Sequence, residues 1–327
     1  MIELRIHGVS TSIIGSFTIE DSEANRKRCT DDLAALGLDY PSYPQLSEMG
    51  PQFLDDLVKY GSGVQREKNR YKLVDKKVEY DGPPLGLESF FWTVKYLTEK
   101  GLTSGIKLKA PITGPFTLAS YVETKPGMFP YNTAVSDLNL VNQFAEILSK
   151  SCKAASESAC MISVDEPILS VLVGAKAAFG YRDEDIIGVY DGLVEACGGR
   201  IVGSHICGRI SPKLADILLR TKLDFLSHEF FDSPKNVALY SPERLRENGK
   251  VLSVGCVSTK NPKVESPQEI LNLMKQFNEH REAVIFTPDC GFRKLLGNNM
   301  DTEEAYRISM TKLRNMVAAA EEFKASD

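Results

Sequence analysis

From residue 106 onward the chain alternates short β-rich apolar runs with stretches of helical period, and this alternation constrains the fold more than any other feature. The runs cover residues 106–112, 159–164, 200–206, 225–230, 250–257 and 283–287, with an earlier one at 12–17. Between them, residues 139–158 place Leu140, Phe144, Ile147, Leu148 and Cys152 on one helical face. Residues 183–197 do the same with Ile186, Ile187, Tyr190, Leu193 and Val194, and stop at Gly198-Gly199. Ser266-Pro-Gln-Glu269 has the spacing of a capping box, and a last helix is expected over 302–323. Such an order implies right-handed βαβ units and a parallel sheet.

A closed barrel and an open doubly wound sheet both satisfy that pattern. No Gly-x-Gly-x-x-Gly loop follows an early strand, which weakens the dinucleotide-binding alternative. The seven runs, with an eighth strand expected near Gly63-Val64, approach the count of a barrel. No composition shift or linker divides the chain, so residues 1–327 are expected to form a single (β/α)8 TIM barrel. Residues 25–84 are charged, rich in Tyr and Pro and poorly periodic; they read as an insertion over the barrel mouth. Residues 123–131, with Pro126, Gly127 and Pro130, read as a long loop at the same end.

The net charge of −5 leaves no basic footprint for nucleic acid. No apolar run approaches membrane-spanning length, and the first residues lack the charged-then-apolar order of a signal peptide. A cytoplasmic protein with neither nucleic acid nor membrane as partner is therefore expected. The seven cysteines, an odd number without framework spacing, suit reduced thiols better than a disulfide scaffold.

Some of those thiols sit where chemistry is expected. His205 and Cys207 in Ser-His-Ile-Cys-Gly, Glu229 in Ser-His-Glu-Phe and Cys290 in Pro-Asp-Cys-Gly all lie at or just past the ends of apolar runs. In a barrel those ends converge on one mouth. Two thiolates, an imidazole and a carboxylate form a donor set that suits tetrahedral zinc. Taken singly, each has an ordinary alternative: a buried cysteine is usually a small hydrophobe, and a lone glutamate is usually solvated.

The order His-x-Cys, Glu about two dozen positions on, then Pro-Asp-Cys-Gly resembles the catalytic half of the cobalamin-independent methionine synthase family. Ile14-Gly-Ser-Phe17, Tyr43-Pro-Gln45, Gly114-Pro115 and Ser163-Val-Asp-Glu-Pro167 extend the resemblance from about residue 11 to 310. It implies a zinc-containing barrel with His205, Cys207, Glu229 and Cys290 as ligands, transferring a methyl group to the thiol of L-homocysteine. By the same resemblance Asp165 binds the amino group and the backbone of Gly15 and Ser16 holds the carboxylate. Glu67 lies roughly where a second amino-binding glutamate is expected, although its motif matches poorly. Asp289 is expected to orient the Cys290 turn, and His228 and His7 to be non-catalytic.

Two departures bear on the methyl donor. Full-length members carry a further N-terminal barrel for which 327 residues leave no room, so the likeness is to the short form. Its implied donor is methylcobalamin or a methylated corrinoid protein. The family's catalytic histidine aligns with Lys260, a weaker general acid at neutral pH. A corrinoid leaves without protonation, whereas a folate amine needs an acid. Three alternatives stay open: alkyl transfer to coenzyme M, a metal-free decarboxylase of the uroporphyrinogen type, and a non-catalytic corrinoid-binding subunit.

Overall fold

The computed structural model describes residues 4–326. Seven parallel strands curl into one sheet: Gly8–Thr11, Lys109–Thr113, Met161–Asp165, Ile201–Ile206, Phe225–Glu229, Val251–Gly255 and Ala283–Thr287. Gly8–Thr11 pairs with Ala283–Thr287 at one side, and Lys109–Thr113 with Met161–Asp165 at the other. The remaining gap is crossed at residues 40–42. Tyr40 N donates to Thr11 O at 3.0 Å, and Lys109 N donates to Pro41 O at 2.7 Å. Parallel bridges pair Ser12 with Tyr40 and Ser42 with Lys109. Pro41 and Pro44 have no N–H to give a ladder, so the eighth position survives only as these bridges.

This corrects the expectation of an eighth strand near Gly63-Val64. Val64–Glu67 instead pairs antiparallel with Arg70–Leu73 in a separate small sheet that also holds Val122–Glu123. The first strand is likewise displaced from residues 12–17 to Gly8–Thr11. The insertion is shorter than expected too. Glu23–Ala35 is a helix tied to the last helix, with Tyr306 Oη donating to Asp32 at 2.7 Å and Arg28 paired with Glu303 at 2.7 Å. Residues from about 47 to 84 form the true excursion.

Among the described residues, each strand position is followed by an outer helix: Glu23–Ala35, Glu88–Glu99, Leu138–Ser156, Asp183–Ala196, Pro212–Leu219, Pro242–Glu247, Pro267–Met274 and Thr302–Ala325. The (β/α)8 order is therefore complete. Ser266 accepts from Glu269 N while Glu269 accepts from Ser266 N, the capping box its spacing predicts.

The barrel interior is divided by depth. Tyr40, Met161, Phe225, Val251, Ala283 and Ile285 pack with Ile6 as an apolar plug at the strand starts. Gly203 makes this possible, because a Cβ there would strike the Phe225 ring. Above the plug the inward positions turn polar: register sets His205, Ser227 and Ser253 side by side on neighbouring strands. A polar, buried upper layer at the strand ends is where a barrel places its chemistry.

Candidate metal centre and substrate pocket

His205 is the penultimate residue of its strand, and Cys207 follows immediately after the last. Cys290 enters from the turn after Ala283–Thr287. The ligand atoms of His205, Cys207 and Cys290 all lie within 4.8 Å of one another. His205 Nδ1 is 3.1 Å from Ser227 Oγ, which receives Ser253 Oγ at 3.2 Å. With the ring proton on Nδ1 facing Ser227, the Nε2 lone pair is left bare. Nε2 is buried and has no hydrogen-bond partner. A buried acceptor without a partner is costly unless something else satisfies it.

Glu229 stands at the margin of this trio rather than within it. Its side chain is buried, and Oε2 takes Lys260 Nζ at 2.8 Å and Ser233 Oγ at 3.3 Å. Oε1 is buried and without a hydrogen-bond partner, with Lys294 Nζ at 3.9 Å. Burial alone would raise this carboxyl, but the hydrogen bond and charge of Lys260, with Lys294 and His205, bring it below its ordinary value. The Cys290 thiol hydrogen-bonds Cys207, which lowers the Cys207 pKa and raises that of Cys290 well above the usual range. Two unpartnered acceptors and two thiols facing one another fit a soft divalent cation, and zinc in particular.

The loops that carry the ligands are fixed by residues to which the sequence assigned no role. Asn236 Nδ2 donates to Glu229 O at 2.8 Å and Gly208 O at 2.9 Å, while its Oδ1 accepts Ile210 N at 3.1 Å. It thereby staples the turn after Cys207 to the end of the Glu229 strand. Asp289 accepts the backbone N–H groups of Phe230, Phe231 and Asp232 at 3.0, 3.1 and 2.6 Å. That carboxylate ties the Cys290 turn to the Glu229 turn, the orienting role its position suggests. His228 spends both ring nitrogens on Ile206 O and Tyr240 Oη, and His7 is exposed.

Beside the trio lies a second polar group. Asp165 ends its strand, accepts His205 N on Oδ1 at 3.3 Å and also accepts the Ser163 hydroxyl. Burial raises its pKa, against the charges of His205 and Lys109. The adjacent Glu166 turns away. It accepts Phe116 N, Thr117 N and Thr117 Oγ1 at 2.9, 2.7 and 2.6 Å, capping the helix Pro115–Tyr121. The Gly15-Ser16 turn meets the Cys290 turn directly: Phe292 N donates to Ser16 O at 2.9 Å, and a Cβ on Gly291 would collide with the Ser16 hydroxyl. Lys109, fully buried below, donates to Ile13 O at 2.5 Å and steadies this turn; burial pushes its pKa down to about 8.

Gly15 has φ of +135°, and a Cβ there would stand 2.5 Å from Gln45 Oε1. Gly15→Ala is therefore expected to lower stability by about 2 kcal/mol through strain and crowding. Thermal unfolding of the variant measures this, and an unchanged Tm would refute the packing described. Gln45 is the buried neighbour at the second strand position, with Gln45 N donating to Gly15 O at 3.1 Å. Glu67, the residue expected near the pocket, is instead exposed on the hairpin and paired with Lys72 at 2.5 Å. It was placed by distance along the chain, which the excursion makes a poor guide.

The family model for the cobalamin-independent synthase catalytic domain matches residues 89–322. The chain belongs to that family. It is 30% identical to the methionine synthase of Methanocaldococcus jannaschii over 237 residues, covering 69% of this chain and 68% of that one. To the methionine synthase of Methanothermobacter thermautotrophicus it is 33% identical over 232 residues, covering 69% and 67%. A B12-independent methionine synthase from Shewanella sp. W3-18-1, solved with selenomethionine, superposes with a TM-score of 0.70 at 16% identity, covering 97% of this chain and 98% of that one. That likeness concerns the fold and agrees with a TIM barrel. The matched segment contains Asp165, His205, Cys207, Glu229, Lys260 and Cys290, whereas Gly15, Ser16 and Gln45 precede it. Among the described residues no helix is long and apolar enough to cross a membrane.

Proposed function

We propose that this protein is a zinc-dependent methyltransferase that methylates the thiol of L-homocysteine to give methionine. The observation that carries the reading is His205 Nε2, buried and unpartnered, beside the two thiols of Cys207 and Cys290. His205, Cys207 and Cys290 would hold the ion, with Glu229 as fourth ligand. A zinc ion bound there supplies a Lewis acid that keeps a substrate thiol deprotonated at neutral pH. Unaided, a thiol of pKa near 8.5 costs about 2 kcal/mol to ionise at pH 7.

The protein's own groups then orient the acceptor. Asp165 offers its carboxylate to the ammonium of homocysteine, and its bond to His205 N sets that site directly against the ligand strand. The exposed N–H groups of the Gly15-Ser16 turn suit the substrate carboxylate. Held at both ends, the sulfur is restricted to one direction of attack, which lowers the entropic part of the barrier.

The donor is a separate matter. The family is named for independence of cobalamin, so neither a methylated corrinoid nor a corrinoid protein partner draws support from membership. What favours a donor that leaves without a proton is Lys260. Burial lowers its pKa, but the hydrogen bond and charge of Glu229 outweigh this and raise it overall, making proton donation less favourable still. A folate amine needs that proton. Methylcobalamin and a methyl folate, each assayed against homocysteine and coenzyme M, test both halves. Methionine formed from methylcobalamin alone is the expected result. Turnover with methyl folate at a comparable rate would overturn the donor, and preference for coenzyme M would overturn the acceptor.

A further inference from the structure

Glu229 presents its two oxygens to different partners. Oε1 is buried and bare of hydrogen bonds, whereas Oε2 lies 2.8 Å from Lys260 Nζ. A second ammonium, Lys294 Nζ, stands 3.9 Å from Oε1. The two lysines are joined through their loops, because Asn298 Nδ2 donates to Lys260 O at 2.8 Å and Asn298 closes the short helix that carries Lys294. Lys260 is braced on its other side. Its N–H reaches Ser258 Oγ at 3.3 Å, and that hydroxyl donates to Asp232 at 2.9 Å. Both ammonium groups therefore stand over a buried carboxylate from a framework that does not depend on it.

We propose that Lys260, assisted by Lys294, competes with the metal for Glu229 and so makes this carboxylate the replaceable ligand of the four. The inference rests on the zinc reading above. Cys207, Cys290 and His205 have no cationic side chain hydrogen-bonded to their ligand atoms among the described residues; Glu229 does. An anion shared between a cation and a lysine binds the cation less tightly, since part of its charge is already compensated. When the acceptor sulfur arrives and its proton passes to solvent, the carboxylate moves to the ammonium pair as an anion. One negative oxygen is exchanged for one negative sulfur, and the charge of the site is conserved. Lys260 is thus a positioning residue acting through Glu229.

The test compares wild-type protein with Lys260→Met and Lys260→Arg. Zinc affinity is read by competition with a chromophoric chelator, and thiol entry by the absorption of the cobalt(II)-substituted protein during homocysteine titration. Lys260→Met is expected to bind zinc about tenfold more tightly without thiol and homocysteine about tenfold more weakly, with Lys260→Arg near wild type. Unchanged affinities, or weaker zinc binding by Lys260→Met, would overturn the proposal. Failure of the wild-type protein to bind zinc would instead overturn the zinc reading itself.

Discussion

Cys290→Ser protein is expected to carry less than about a tenth of a zinc equivalent per chain, against about one for the wild type, and to lose methyl transfer by roughly a thousandfold or more. The size follows from the geometry. Cys290 is one of two thiols in a trio whose ligand atoms span only 4.8 Å, and no other cysteine reaches that cluster. A serine hydroxyl does not ionise near neutral pH and cannot replace thiolate donation. Cys207→Ser should behave alike, and metal analysis of both variants by mass spectrometry decides the matter. A full complement of zinc in both would sink the ligand assignment. Ser227→Ala provides the graded control. It leaves every ligand in place but removes the group that fixes the His205 ring, so zinc affinity should fall by about 10- to 100-fold.

The sequence exposed this centre because a barrel converts chain order into proximity. Once seven apolar runs imply a ring of parallel strands, residues at their ends must face one mouth, whatever their separation. His205, Cys207 and Cys290 were found by that rule alone. Strands lacking an apolar run escaped it. Residues 40–42, Tyr-Pro-Ser, carry two turn-like signals and no alternation, yet they close the barrel by single hydrogen bonds to Thr11 and from Lys109. Missing them displaced the eighth strand to Gly63-Val64 and, with it, the choice of Glu67 over Gln45. The Glu23–Ala35 helix escaped for a related reason: only Cys29, Thr30 and Leu33 are buried along it, too few to leave a periodic stripe. Asn236 and Asp289 act by accepting or donating backbone hydrogen bonds across loops, and such partners leave no trace in residue spacing.

Asp165→Asn separates homocysteine from thiols without an ammonium. The substitution is nearly isosteric, and an amide oxygen still accepts the Ser163 hydroxyl and His205 N, so the strand end should stay in place. What is lost is one buried negative charge. Removing one member of a buried ion pair costs about 3–5 kcal/mol, and the amide recovers part of this by hydrogen bonding. About 3 kcal/mol remains, which raises the homocysteine KM roughly 100-fold. The kcat should change far less, because the charge opposes the ammonium equally before and during methyl transfer. For 4-mercaptobutanoate, which has the same sulfur and carboxylate but no ammonium, Asp165→Asn should leave KM within about twofold of wild type. Steady-state kinetics with both thiols provide the comparison. Equal losses on the two would show that Asp165 supports His205 and not the substrate, and would reopen coenzyme M as the acceptor.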